Sequence, residues 1–89
     1  MGSRNRQKPR FLAQKLAKIR TSLRLSQNEM IQKLGLEHAL VRSTISAFER
    51  GVREPSYPVL LKYARAVGIS TDVLIDDELK LDQDLQQKQ

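Results

Sequence analysis

The run Ser26-Gln-Asn-Glu-Met-Ile-Gln-Lys-Leu-Gly35, followed six residues later by Arg42-Ser-Thr-Ile-Ser-Ala-Phe-Glu-Arg50-Gly51, decides the architecture. Ser26 with Glu29 three residues on is a capping box: the hydroxyl can accept from the Glu29 N–H while the carboxylate reaches back to the Ser26 N–H. Met30, Ile31 and Leu34 follow at helical spacing, and Gly35 suits the left-handed position that ends a helix. A short helix of about two turns is predicted. A second helix runs from Arg42 to Arg50 and stops at Gly51. At roughly 100° per residue, Ile45 set toward the core brings Val41 and Phe48 beside it. Ser43, Ala47 and Arg50 then lie on the far side, with Ser46 flanking. That outward face is small, polar and ends in a cation, where an ordinary solvated helix carries Glu, Lys and Gln. A capped helix, a glycine turn and a second short helix is the helix-turn-helix layout, whose second helix enters the DNA major groove.

On the N-terminal side, Leu12, Leu16, Ile19 and Leu23 recur at spacings of three and four, predicting an amphipathic helix from Phe11 to near Arg24. Lys15, Lys18 and Arg24 read as its solvated face. On the C-terminal side, Gly51 to Ser56 is a loop, with Pro55 excluding helical conformation from the residue before it. Ser56 is expected to cap a fourth helix with Leu60, Leu61, Ala64 and Val67 inward and Gly68 as its stop. Ser70 is expected to cap a fifth carrying Val73, Leu74 and Ile75, with Asp72 near the positive end of its dipole. Beyond Asp76 the chain turns acidic and Gln-rich. It either adds a turn through Leu79, Leu81 and Leu85 or stays disordered. No strand pattern and no internal repeat appears. The fold class is all-α, a compact five-helix domain over residues 11–76. Before it, residues 1–10 read as a tag remnant (Met1-Gly2-Ser3) and a flexible basic arm, and after it residues 77–89 read as an acidic tail.

Eighty-nine residues suffice for one small core. With aromatics at 4% that core must be aliphatic, which favours helices over a sheet sandwich. Charge is unevenly placed. Up to Arg65 the chain holds 14 basic and 4 acidic residues, a net +10, and the remainder holds 2 and 6, a net −4. A basic body suggests a polyanion partner, nucleic acid first and an anionic membrane second. There is no cysteine and one histidine, His38, so thiol nucleophiles, zinc knuckles and histidine metal clusters lack parts. No metal or cofactor is expected. Asp76-Asp77-Glu78 is the one carboxylate cluster, and adjacent solvated residues at a helix end do not form a pocket, so an enzyme is not expected. No apolar run approaches the roughly 18–20 residues of a membrane span. A cytoplasmic location is expected.

Ser26-Gln27-Asn28-Glu29 through Lys33-Leu34-Gly35, then Arg42 to Gly51, then Arg53-x-Pro55-Ser56, Leu60-Leu61-Lys62-x-Ala64-x-Ala66-Val67-Gly68 and Asp72-x-Leu74 stand in an order that resembles the Cro and lambda-repressor-like helix-turn-helix family. The resemblance implies a sequence-specific double-stranded DNA-binding transcriptional regulator of the repressor kind, acting as a homodimer on a palindromic operator. It implies that Gln27 contacts a phosphate and braces the second helix, and that Arg42, Ser43, Thr44 and Ala47 face base edges with Ser46 beside them. Arg42 is then the strongest reader, since a guanidinium can bond two guanine acceptors at once. Arg50 and Arg53 match positions that hold the backbone. Glu49 pairs with Arg20 as a structural ion pair. The dimer contact falls on helix five and the following segment, Val73 to Leu85. An antitoxin or adaptor that uses the same domain, with a protein partner on that segment, is the alternative. Two departures stand out. About four extra residues lie between Gly35 and the third helix, so either the turn is a longer loop or the helix gains a turn from Glu37, placing Glu37 and His38 deepest in the groove. The other is Arg24, where the family commonly has glycine.

Overall fold

The computed structural model describes residues 9–81, which form five helices: α1 (Leu12–Ser22), α2 (Gln27–Leu34), α3 (Arg42–Glu49), α4 (Tyr57–Val67) and α5 (Thr71–Ile75). The basic arm up to Lys8 and Leu85 lie outside the described residues. No strand occurs among the residues described.

Helix α2 starts as its sequence requires. Ser26 Oγ accepts from the Glu29 N–H at 3.0 Å, and the Ser26 N–H donates to Glu29 Oε1 at 2.7 Å. Gly35 closes the helix at φ 72°, a left-handed conformation that costs glycine little. Residues 36–41 form a loop and add no turn to α3. Within it the Ala39 and Leu40 N–H groups both donate to Leu36 O at 2.9 Å, closing one tight turn, while Leu36 and Leu40 pack against the core. Val41 is the N-cap of α3, in extended backbone, and its side chain is 62% exposed. The expected place beside Ile45 is thus not taken, because the helical 100° rule does not reach a residue outside the helix.

The core gathers Leu12, Leu16 and Ile19 of α1 with Met30, Ile31 and Leu34 of α2, Ile45 and Phe48 of α3, and the inner faces of α4 and α5. Helix α3 rests on α1 and α2. Helix α4 packs on α2, α1 and α5, and α5 packs back on α1. In α4 the fully buried side chain is Tyr63, which replaces Leu61 as the inward residue of that turn, and Leu61 is only half-buried. Burial first, and the nearby Glu49 charge second, push the Tyr63 phenol well above its usual range. Its hydroxyl has no hydrogen-bond partner among the described residues. Ser56 occupies the N-cap of α4 without a side-chain bond, and Pro58 stands in the first turn, where a missing N–H costs nothing. Ser70 does cap α5, accepting from the Asp72 N–H at 3.1 Å. Val73 and Leu74 of that helix are buried, and Ile75 is exposed.

The largest revision concerns α1. Lys15 is buried on the apolar stripe of that helix and not on its solvated face. Its Nζ donates to Val73 O at 2.7 Å and to Asp76 O at 3.1 Å, so an α1 cation satisfies carbonyls at the C-terminal end of α5. In return, the Asp77 carboxylate just beyond α5 accepts from the Arg10 N–H at 3.0 Å and the Phe11 N–H at 3.2 Å, at the start of α1. Packing therefore extends past Asp76, where the sequence suggested that the domain stops. Leu81 is also buried in this chain's own core, so it is not a free contact residue. Helix α1 ends at Ser22, and Arg24 takes φ 61°, the left-handed conformation that explains why glycine suits that position.

Candidate nucleic-acid interface

Two anchors fix the orientation of α3. Ile45 and Phe48 are buried between α1 and α2, which turns the opposite side of the helix outward. At its C-terminal end, Glu49 receives a forked bond from Arg20 of α1, with Nε to Oε2 at 2.7 Å and Nη2 to Oε1 at 3.0 Å. The same guanidinium donates through Nη1 to Leu25 O at 2.9 Å, in the turn that leads into α2. Gln27, first residue of α2, adds a longer bond from Nε2 to Glu49 Oε1 at 3.3 Å. One carboxylate thus ties α1, α2 and α3 together. The hydrogen bond to Glu49 is also the main reason that the Arg20 guanidinium holds its proton above its ordinary range.

The fork geometry matters because planar guanidinium–carboxylate pairs hold direction as well as distance. Side-chain exposures of 19% for Arg20 and 9% for Glu49 leave this pair mostly sheltered from screening. Gln27 is half-buried against Glu49, yet it stands at the N-terminus of α2, where backbone N–H groups and the helix dipole favour a phosphate.

On the outward side, Arg42 and Ser43 are exposed, and Thr44, Ser46 and Ala47 are half-buried. Arg50 is exposed and folds back along the helix, its Nε donating to Ser46 Oγ at 3.1 Å. The Ser46 hydroxyl is therefore engaged in positioning a cation. Arg53 lies beyond α3, exposed in the loop to α4, where it lines a cleft with Arg10, Ala13, Gly51 and Pro55. Arg42, Ser43, Ala47 and Arg50 share one side of a rod about 12 Å long, at 1.5 Å per residue over eight residues. A B-DNA major groove is about 12 Å wide and admits such a rod. Donor forks, hydroxyls and a methyl group are the chemistry that base edges and phosphates accept.

Sequence reasoning missed the exposure of Val41, which lines a shallow cleft with Asn28, Ile31 and Gln32 of α2 and with Arg42. The signal available was the absence of a capping side chain before Arg42, which marks Val41 as a residue outside the helix. Among the described residues, no three His, Asp or Glu side chains gather to hold a metal. No helix among them is long and apolar enough to cross a membrane.

A short capped helix, a tight turn and a braced outward-facing helix define a DNA-binding domain of the helix-turn-helix class. The helix-turn-helix family matches residues 16–74, so the chain belongs to that family, of the Cro/C1 type found in transcriptional regulators. It is also 33% identical over 68 residues to the uncharacterized HTH-type transcriptional regulator YqaE of Bacillus subtilis (strain 168), covering 76% of this chain and 55% of that protein. The chain spans about half the length of the curated relative that it matches. No solved structure matches the chain.

Proposed function

We propose that this protein is a sequence-specific regulator of transcription that lays α3 in the major groove and represses by occluding a promoter. One observation carries the reading: Ile45 and Phe48 are buried while Arg42 and Ser43 are exposed on the other side of the same helix. Arg42, Ser43, Thr44 and Ala47 read base edges, and Gln27, Arg50 and Arg53 hold phosphates on either side of the groove. Ser46 acts on the DNA through Arg50. A single short helix reads only a few base pairs, too little to stand out among genomic sites, so a two-fold dimer on a palindromic operator is part of the proposal. Phe11, Ile75 and Leu79, each 40% exposed, lie at the end where Asp77 meets the start of α1 and supply apolar surface for that contact. The named relative is a transcriptional regulator, which agrees with this assignment. The site of action is the cytoplasmic nucleoid.

Selection from random duplexes, followed by binding measured across salt concentration, tests it. A palindromic consensus is expected, with affinity falling steeply with salt in proportion to the phosphates contacted. Arg42→Ala should relax preference at one base position by about 1–3 kcal/mol, whereas Arg50→Ala should weaken all sequences alike and flatten the salt slope by about one. Binding indifferent to sequence at every salt would refute the regulator reading and favour an adaptor.

A further inference from the structure

Lys33 in the last turn of α2 and Lys62 and Arg65 on α4 converge on one shallow cleft between these helices, floored by Leu34 and Ala66. All three cations are exposed, and among the described residues none has an ion-pair partner. No carboxylate lines this cleft, whereas Glu54 stands in the cleft beside Arg53 and Glu37 in the cleft beside Arg42. Glu29, one turn before Lys33, is the natural partner within α2, but its Oε1 accepts from the Ser26 N–H at 2.7 Å instead. Lys33 and Arg65 each favour the negative end of the helix that carries them. Lys62 stands mid-helix, where the dipole gains nothing, and lies one turn from the like charge of Arg65, an arrangement that weakens a helix. Stability alone therefore does not account for the cluster.

We propose that this cleft docks an acidic amphipathic helix of a partner protein. Lys62 and Arg65 are about 4.5 Å apart along α4, at 1.5 Å per residue, so carboxylates three or four residues apart on an opposing helix meet them in step. Lys33 closes the cleft from α2, and Leu34 and Ala66 accept the apolar side chains of the same helix face. The apolar floor favours a protein over a further stretch of nucleic acid, whose phosphate backbone offers charge and no apolar face. No residue of α3 lines the cleft, and Lys33 lies about 9 Å along α2 from Gln27, six residues away at 1.5 Å each. The partner can thus sit on the protein while α3 lies on DNA, and the proposal goes beyond the reading of α3 without depending on it.

The test titrates the full chain with a synthetic helical peptide whose glutamates recur at spacings of three and four beside a leucine stripe, and with the same peptide carrying glutamine for glutamate. Amide NMR shifts should gather at Lys33, Leu34, Lys62, Arg65 and Ala66 with the first peptide and stay in place with the second. Lys62→Gln should weaken peptide binding about two- to threefold, the size of one exposed ion pair, and melt no lower than the parent. Joining it to Lys33→Gln and Arg65→Gln should weaken binding about tenfold if the three pairs add, while affinity for the selected duplex and its salt slope stay those of the parent. The proposal is overturned if the shifts fall on Arg42 and Arg50 and a duplex displaces the peptide, if the glutamine peptide binds equally, or if the variants bind the acidic peptide as the parent does. A flatter salt slope on DNA for the triple variant would make the cleft a phosphate contact and overturn it as well. Should the triple variant fail to fold, Lys62→Gln alone decides.

Discussion

Replacing Lys15 with methionine isolates the tie between α1 and α5. The stem keeps its length and apolar surface, and only the amine leaves. Two bonds go with it, the 2.7 Å bond to Val73 O in buried surroundings and the 3.1 Å bond to Asp76 O nearer to solvent. A hydrogen bond involving a charged group contributes roughly 1.5–3 kcal/mol. The second bond adds less, and relief of the burial cost of the amine subtracts a similar amount. A net loss of roughly 1.5–3 kcal/mol is expected for Lys15→Met. At about 4–8 °C per kcal/mol for a domain of this size, the melting temperature should fall by roughly 6–24 °C. The five-residue α5 cannot hold itself together without that support.

The effect also has a pH signature. Burial, working against the nearby Asp77 and Asp76 charges, holds the Lys15 amine below its ordinary value of 10.5. Its folded-state pKa is thus lower than its unfolded one, and the unfolded chain binds more protons between the two. Stability contributed by Lys15 therefore rises as pH climbs through the folded pKa toward 10.5. The cost of Lys15→Met should be greater at pH 10 than at pH 7. Thermal and urea denaturation of the parent, Lys15→Met and an exposed control, Lys62→Met, measure both quantities. A loss under about 0.5 kcal/mol, no larger than that of an ordinary surface substitution, would show that the amine is not an anchor.

Three further perturbations bear on the same frame. Arg24→Gly should stabilise the domain by about 0.5–1 kcal/mol, because a left-handed arginine costs about 1–2 kcal/mol and glycine returns part of that as unfolded-state entropy; an unchanged or lower melting temperature would contradict it. Glu49→Gln should cost roughly 1–3 kcal/mol by leaving Arg20 without its ionic partner, and urea midpoints equal to those of the parent would count against the brace. Asp77 is held below its usual range, first by the Arg10 N–H and also by the Phe11 N–H. Its contribution is therefore present above about pH 4 and lost as pH falls through the folded pKa. Asp77→Asn should remove that part of the acid sensitivity, and identical acid melts for parent and variant would refute the cap.

Local signals made much of this protein legible. Ser26, Glu29 and Gly35 determine α2 through contacts within four residues, and Ile45 with Phe48 orients α3 by simple periodicity. Lys15 reads as solvated by its charge and as buried by its spacing, and the spacing prevails: it sits three residues after Leu12 and four before Ile19, squarely on the apolar stripe. Tyr63 holds the same relation to Leu60 and Val67. Asp77 gives no local sign, since its bonding depends on the chain returning to the start of α1 across more than sixty residues of sequence. The forked Arg20–Glu49 bond is readable from family resemblance alone, because no spacing rule connects positions 29 residues apart. Val41 lay beyond the reach of a helical wheel altogether.

The bonds from Lys15 to the Val73 and Asp76 carbonyls, and from the Arg10 and Phe11 N–H groups to Asp77, have a mechanical consequence. A load applied on the C-terminal side of Leu81 is not free to peel α5 away one turn at a time. It passes through two side chains into the first helix, so the first and last helices should yield as one unit. Amide protons of α5 should accordingly exchange with solvent no faster than those of α1, despite a length at which an isolated helix would have no protection.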